Sequence, residues 1–314
     1  MNKTLLIFSS LLFIISCTKE IEIKIPEKQP KLVVSSTIVP FTLPMPAQLG
    51  LELQSSLNIF DTTKKALITD ALVLYYENNI LIDTIKYVDV LKKYIISTAI
   101  NKYPVAGNDY SIQIIKQGFA TVIAKTTIPH IVDITKLDIL PIAYLDETGS
   151  PHSEVSIAFT DPSDKVNFYE VEISDITEKF NYELSSNNPI ITGESYYPSV
   201  LDFKNNMPTS LLFNDSKING QNVILKIYYL APLIITDHSY ISDHSINVHL
   251  KNVTEEYYKN KITFIQHTYS LQENMLYGSG EPINVYSNIN NGYGVFAGYN
   301  NSIQSLHIPE TLVK

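Results

Sequence analysis

The sequence contains one cysteine, Cys17, and its position predicts a lipid-attachment site. A short basic start, Met1 to Lys3, is followed by an apolar run from Leu5 to Ile15 and by one small residue before the cysteine. This order is typical of a cleaved signal peptide, and the run is too short to span a bilayer. Ile14 to Cys17 also matches the bacterial lipobox, in which the thiol becomes a thioether. We therefore expect residues 1–16 to be removed and Cys17 to anchor the chain in a membrane.

A cluster of imidazole and carboxylate groups lies at Asp237-His238, Asp243-His244 and His249. Such side chains can bind a transition metal. In a strand, His244 and His249 would point to opposite faces, because a spacing of five is odd. The sequence therefore favours a solvated loop beside Pro232 over a metal site.

Two carboxylates near the middle of the chain, Asp161 and Asp164, have the oxygen ligands that calcium prefers. A calcium loop usually has more acidic positions than this segment contains. Asp161-Pro162 is instead typical of a turn, and a turn is what we predict there.

Nucleophilic catalysis has little support in the sequence. No G-x-S-x-G motif is present, and Ser279 lies between two glycines, as in a flexible turn. His267 lies on a predicted helix with no evident partner, and Glu255-Glu256 suits the positive end of that helix. We therefore expect a protein that is not an enzyme and has no cofactor or metal, and we rank a hydrolase of surface polymers last.

The segment from Asn288 to Tyr299 is rich in asparagine, glycine and aromatic residues. Tyr293, Phe296 and Tyr299 can stack on a sugar or a peptide. Alternatively, the glycines permit tight turns while the aromatic rings fill the core, and we prefer this interpretation.

Charge and composition exclude one class of partner. The formal net charge is −9, and all basic side chains apart from histidine are lysines, since the sequence contains no arginine. An acidic chain without arginine lacks the residue best suited to bidentate phosphate binding. We therefore predict no nucleic-acid partner.

The elements that position these residues are mainly β-strands. Residues 17–30 are predicted to form a lipidated tether, kept extended by Pro26 and Pro30. From Lys31 apolar residues alternate in about seven short segments separated by turn residues. This pattern predicts an immunoglobulin-like or transthyretin-like β-sandwich over residues 31–131.

A second β-rich domain carrying one amphipathic helix is predicted over residues 132–314. Within it, residues Glu183–Lys204 are expected to form a long loop, and Asn284–Gly298 to form a strand that closes the second sheet. The helix is predicted near Thr254–Asn274, with Thr254 as its cap and Gly278 just beyond its end. Its buried face comprises Tyr258, Ile262, Ile265 and Tyr269.

Four stretches, in this order, resemble the DUF4249 lipoproteins of Bacteroidota, a family without an assigned activity. They are Lys31-Leu32-Val33-Val34 after the lipobox; Phe159-Thr160-Asp161-Pro162 with Phe168-Tyr169-Glu170-Val171; Leu212-Phe213-Asn214-Asp215 with Ile218-Asn219-Gly220; and Ser287 to Phe296, preceded by Pro282 and Tyr257-Tyr258. The resemblance extends over nearly the whole mature chain.

The resemblance implies a lipid-anchored outer-membrane protein on the periplasmic face or the cell surface. Members of the family are often encoded beside TonB-dependent transporters, so the expected role is that of a non-catalytic accessory to uptake, with such a transporter as its partner. A surface adhesin or glycan-binding protein is the alternative that we retain. Fold alone cannot separate these functions.

Overall fold

The computed structural model describes residues 29–40, 48–57, 67–95, 103–191, 207–236 and 238–313. Cys17, the predicted signal peptide, residues 17–28 of the predicted tether, residues 192–204 and Asp237 lie outside these ranges. Strands account for 51% and helices for 10% of the structure, which confirms the predicted mainly β fold.

The described residues of the first part of the chain form seven strands, about the number that the sequence predicts. They are β1 (Leu32–Val39), β2 (Gln48–Ser55), β3 (Leu72–Glu77), β4 (Ile80–Val88), β5 (Lys93–Ile95), β6 (Asp109–Ile115) and β7 (Val122–Thr127). Buried and exposed residues alternate along β7 and β6, because successive side chains of a strand point to opposite faces.

In the second part, the residues that the structure describes add eleven strands and one long helix. The strands are β8 (Lys136–Leu145), β9 (Pro151–Thr160), β10 (Phe168–Asp175), β11 (Leu184–Ser185), β12 (Leu211–Asn214), β13 (Asn222–Leu230), β14 (Leu233–Ile234), β15 (Tyr240–Ile241), β16 (His244–Val253), β17 (Tyr293–Ile308) and β18 (Thr311–Leu312). The helix α1 spans Glu255–Tyr277, and a short 3-10 helix spans Asp215–Lys217.

One large sheet runs through both parts of the chain. Its eleven strands have the order β12-β10-β16-β17-β1-β2-β5-β4-β3-β6-β7. The long strand β17 joins the two parts: it pairs antiparallel with β16 and parallel with β1, from Val33↔Tyr293 to Ile38↔Gly298. The predicted strand Asn284–Gly298 is therefore wrong in part. The strand β17 begins only at Tyr293, and it joins the strands of both parts of the chain rather than closing a separate second sheet.

The described residues form three hydrophobic clusters on the large sheet: two extensive cores and a smaller cluster under helix α1. In the first, Leu51, Tyr75 and Ile112 pack with Ile289 and Phe296, which come from the C-terminal part of the chain. The second lies between the large sheet and a four-stranded sheet of order β11-β13-β9-β8. The division of the chain at residue 131 stays a prediction, and the first core contains residues from both sides of it.

Helix α1 confirms the helix predicted from the sequence. The Thr254 side chain accepts a hydrogen bond from the backbone N–H of Tyr257, and Gly278 ends the helix in the left-handed conformation, as caps of these types do. Tyr257 and Ile262 pack on the large sheet. Within the described part of the chain, no helix is both long and apolar enough to cross a membrane.

Candidate functional site: a groove beside helix α1

The main concave feature among the described residues is a groove between α1, the parallel pair β1/β17 and the segment 284–287. Its volume is about 1180 Å³. The side chains that make its apolar wall are Val33, Phe264, Ile265, Val285, Tyr286, Tyr293 and Val295. A concave site of this kind, mostly apolar with a few polar groups, is typical of a ligand or peptide site.

The alternation of strand β1 explains the floor of the groove. Leu32, Val34 and Ser36 point into the first core and are buried. Val33 and Ser35, which alternate with them, therefore face α1, and Ser35 is exposed. The floor is thus part of the large sheet, a rigid support for a binding site.

Hydrogen bonds attach the segment 284–287 to the helix. The side-chain amide of Asn260 donates to the carbonyl of Tyr286 over 2.7 Å. The backbone N–H of Tyr286 donates in turn to the Thr263 hydroxyl over 2.8 Å. Consequently this wall is fixed relative to α1 and the groove is preformed.

A glycine permits the close approach of β1 and β17 beneath the groove. Gly294 has a φ of +104°, which residues other than glycine rarely adopt. A Cβ atom at this position would lie 1.9 Å from the carbonyl oxygen of Val34. The parallel pairing of the two strands therefore requires glycine here.

A buried ion network lies beneath α1 and reaches the groove through Lys261. Glu170 on β10 has an exposed fraction of 0%. Its carboxylate accepts hydrogen bonds from the Lys251 ammonium group over 3.0 Å, from the Tyr257 hydroxyl over 2.7 Å and from Lys261. Burial opposes the charge of Glu170, but the two lysines outweigh it and lower its pKa to about 2.

The network continues on the same face of the large sheet. Lys251 also lies 2.7 Å from Glu172, so two carboxylates share two ammonium groups. His249 accepts at Nδ1 from the Asn301 amide over 3.0 Å. Burial and the positive charge of Lys251 lower the pKa of His249 to about 4, and the imidazole is therefore neutral at pH 7.

The predicted loop around the histidines is wrong for His244 and His249, because both lie in strand β16. They point to opposite faces, as the odd spacing predicts. His244 is buried in the second core, where Nε2 lies 3.0 Å from the Tyr229 hydroxyl, whereas His249 belongs to the ion network. His238 and Asp243 are exposed, and Asp237 is not described.

Among the described residues, no group of three or more His, Cys, Asp or Glu side chains has an arrangement that could hold a metal.

Asp161 and Pro162 lie in the segment 161–167 that connects β9 and β10 and bends at residues 163–165, and the structure explains the aspartate. Asp161 is buried, and its two oxygens accept from the Tyr169 hydroxyl and, over 2.9 Å, from the backbone N–H of Gly220. Burial raises the pKa of Asp161. Asp164 is exposed. These bonds make Asp161 a connection between two loops.

The residues considered for hydrolysis are not brought together. The His267 ring lies on α1 and its Nδ1 lies 2.7 Å from the carbonyl of Ile283, while Ser279 is exposed beyond the end of the helix. Glu255 and Glu256 occupy the first turn of α1, as predicted. The absence of enzymatic activity stays a prediction.

The three aromatic residues near the C-terminus have different environments. Phe296 is fully buried in the first core, and Tyr299 packs against Tyr257 with ring centroids 5.8 Å apart. Both confirm the structural interpretation. Tyr293 does not: 47% of it is exposed, it lines the groove, and the Lys31 ammonium lies 4.9 Å from its ring centroid.

Comparison with known families agrees with the resemblance found in the sequence. The sequence model of the family described as "Domain of unknown function (DUF4249)" matches residues 18–305, and the chain belongs to that family. None of the curated proteins matches the chain.

Proposed function

We propose that this protein is a non-catalytic, lipid-anchored accessory of a TonB-dependent uptake system at the outer membrane of a bacterium of the Bacteroidota. In this role Cys17 carries the lipid, and the groove beside α1 binds a segment of the transporter. The lipobox sequence and the family membership support the anchor and its setting.

The observation that carries the binding role is the groove itself. It is large enough for a peptide segment, and the helix and the strand pair that form it are fixed by hydrogen bonds and by the Gly294 contact. A preformed site loses little conformational entropy when it is occupied, which favours binding. Ser35, Asn260 and Lys261 supply polar groups beside the apolar wall.

Crosslinking in cells tests this proposal. The chain carries a C-terminal tag, and membrane partners recovered with it are identified by mass spectrometry. We expect a TonB-dependent transporter, lost when Cys17→Ser removes the anchor and reduced at least about tenfold by Ser35→Trp, which fills the groove. A tenfold loss corresponds to about 1.4 kcal/mol of binding free energy.

Ile224→Trp is the matched control. Ile224 lies on β13, is 65% exposed and does not line the groove. We expect this variant to recover the transporter as the wild type does. Recovery of no transporter from a lipidated wild-type protein would contradict the proposal.

Glycan binding is the second candidate, and the exposed ring of Tyr293 favours it. Aromatic faces in a groove with amide and hydroxyl groups are suited to stacking on sugar rings. Binding to a glycan array that is lost in both Tyr293→Ala and Ser35→Trp would support this candidate. A silent array together with a recovered transporter would exclude it.

A further inference from the structure

The C-terminal turns of helix α1 present a cluster of exposed apolar side chains, which we call the apolar tip. Its members are Leu271, Met275, Leu276 and Tyr277. Met275 and Tyr277 have exposed fractions of 78% and 71%. Leu271 and Met275 are one turn apart, on the side of the helix that also carries the exposed Phe264, and adjoining exposed apolar side chains of this kind mark an interaction surface.

The tip is almost free of charge. Between Gln266 and Tyr277 the sequence has one formally charged residue, Glu273, although the whole chain carries a net charge of −9. On the outward face, the hydroxyl of Thr268 donates to the carbonyl of Phe264 over 2.9 Å and so is already satisfied. Charged side chains enter a bilayer at a high cost, whereas aliphatic side chains and tyrosine are accepted in its interfacial layer.

Other side chains of the same turns hold the helix in place. The His267 ring lies 2.7 Å from the carbonyl of Ile283, and the Ser270 hydroxyl donates to the carbonyl of Glu281. Gly278 closes the helix. The tip is therefore a formed helical turn that projects away from the body of the protein.

The predicted lipid anchor can bring a membrane to the tip. Tyr293 and Phe264 line one groove, and Lys31, near the start of the described chain, contacts the Tyr293 ring. Along the helix axis Met275 lies about 16 Å beyond Phe264, at 1.5 Å per residue. The twelve residue steps from Cys17 to Gln29 span at most about 40 Å, and Gln29 lies two residues before Lys31, so the lipid on Cys17 is tethered to the side of the molecule that carries the groove and α1.

We infer that the apolar tip of α1 rests in the interfacial layer of the membrane that holds the lipid on Cys17. This inference rests on the lipid anchor of the proposed function. It adds a second contact with the bilayer, and two contacts fix the orientation of the groove, which a single chain anchor does not.

Site-specific fluorescence tests the contact, because Cys17 is the only cysteine and a lipidated thiol cannot react. Met275→Cys and, as an independent position, Leu271→Cys are labelled with an environment-sensitive dye on the lipidated full chain. The proteins are reconstituted into phosphatidylethanolamine–phosphatidylglycerol vesicles that contain a spin-labelled lipid. Ile224→Cys, an exposed position on strand β13 of the four-stranded sheet, is the control.

We expect spin-labelled lipid to quench both helix probes at least about twofold more than the Ile224 probe. Thiol labelling of the denatured wild-type protein is measured in parallel, and it reports whether the Cys17 thiol is free or lipidated. A reactive Cys17 overturns the proposed anchor and this inference with it. A blocked Cys17 with helix probes quenched no more than the control overturns this inference alone, and leaves the tip to a protein partner.

Discussion

The ammonium group of Lys251 lies 3.0 Å from the carboxylate of Glu170, inside the packing between helix α1 and the large sheet. Lys261 of the helix binds the other oxygen of the same carboxylate. Glu170 therefore joins strand β10, strand β16 and α1 through one buried charge. Removal of one member of such a group leaves the others uncompensated, which costs more than the intact group contributes.

Glu170→Gln is accordingly expected to lower the free energy of unfolding by about 3 kcal/mol. This value is at the low end for breaking a buried ion pair, because Lys251 keeps its second ion pair, with Glu172. Urea unfolding followed by circular dichroism measures it. The matched control is Glu52→Gln, because the side chains of Glu52 and of its partner Lys93 are 40% and 47% exposed. A surface pair of that kind contributes less than about 1 kcal/mol. Equal effects of the two substitutions would refute the structural role of Glu170.

The shifted pKa values of two groups in this network predict how the stability of the protein depends on pH. The pKa of His249 is about 4 in the folded protein, below its ordinary value of 6.5. The unfolded chain then binds more protons between these values, so stability falls as the pH decreases from 6.5 to 4. The pKa of Glu170 is also lowered, from 4.5 to about 2, so its contribution is present above pH 4.5 and is lost as the pH falls towards 2.

The variant His249→Gln separates the two windows. We expect it to flatten the change between pH 6.5 and 4, where one proton contributes at most about 1.4 kcal/mol per pH unit, and to leave the fall below pH 4.5. Urea midpoints at several pH values give the slope. His238→Gln, on the exposed loop, should keep the wild-type slope, and an unchanged slope in His249→Gln would disprove the assignment.

Helix α1 and the mainly β class were predictable because their signals are local. Thr254 and Gly278 delimit the helix, and the apolar spacing defines its buried face. The strand containing His244 and His249 was predictable too, because the apolar residues Ile246, Val248 and Leu250 alternate with polar ones along it. The polar pairs Asp237-His238 and Asp243-His244 nevertheless favoured a loop over this strand.

The groove and the ion network were not predictable from local pattern. The groove depends on the parallel pairing of Val33 with Tyr293, which are 260 positions apart. No local periodicity encodes such a long-range pairing. The ion network left one indication in the sequence, since Glu170 and Glu172 alternate with the apolar Val171 and Ile173. Their lysine partners, however, come from other elements.

The buried carboxylate of Asp161 leads to a third prediction. Asp161→Ala removes the acceptor for the Tyr169 hydroxyl and the Gly220 N–H, and each unsatisfied donor costs about 1–3 kcal/mol. We expect a loss of about 2–4 kcal/mol in urea, and less than about 0.5 kcal/mol for exposed Asp164→Ala. Addition of millimolar calcium to the wild type should leave the melting temperature unchanged. A rise on calcium addition that Asp161→Ala abolishes would restore the calcium interpretation.

The contact between Gly294 and Val34 gives a fourth prediction, on the strand pairing beneath the groove. Gly294→Ala places a methyl group within 1.9 Å of the Val34 carbonyl oxygen, and the neighbour is backbone, which cannot turn away. We expect β1 to separate from β17 locally and stability to fall by more than about 3 kcal/mol. Gly118 is the matched control, since its φ is +86° and no atom lies within 4 Å of the position that an added methyl group would take. Gly118→Ala should therefore show only the backbone cost of about 1–2 kcal/mol. If both variants unfold at the same urea concentration, the close approach of the two strands is not what fixes glycine at position 294.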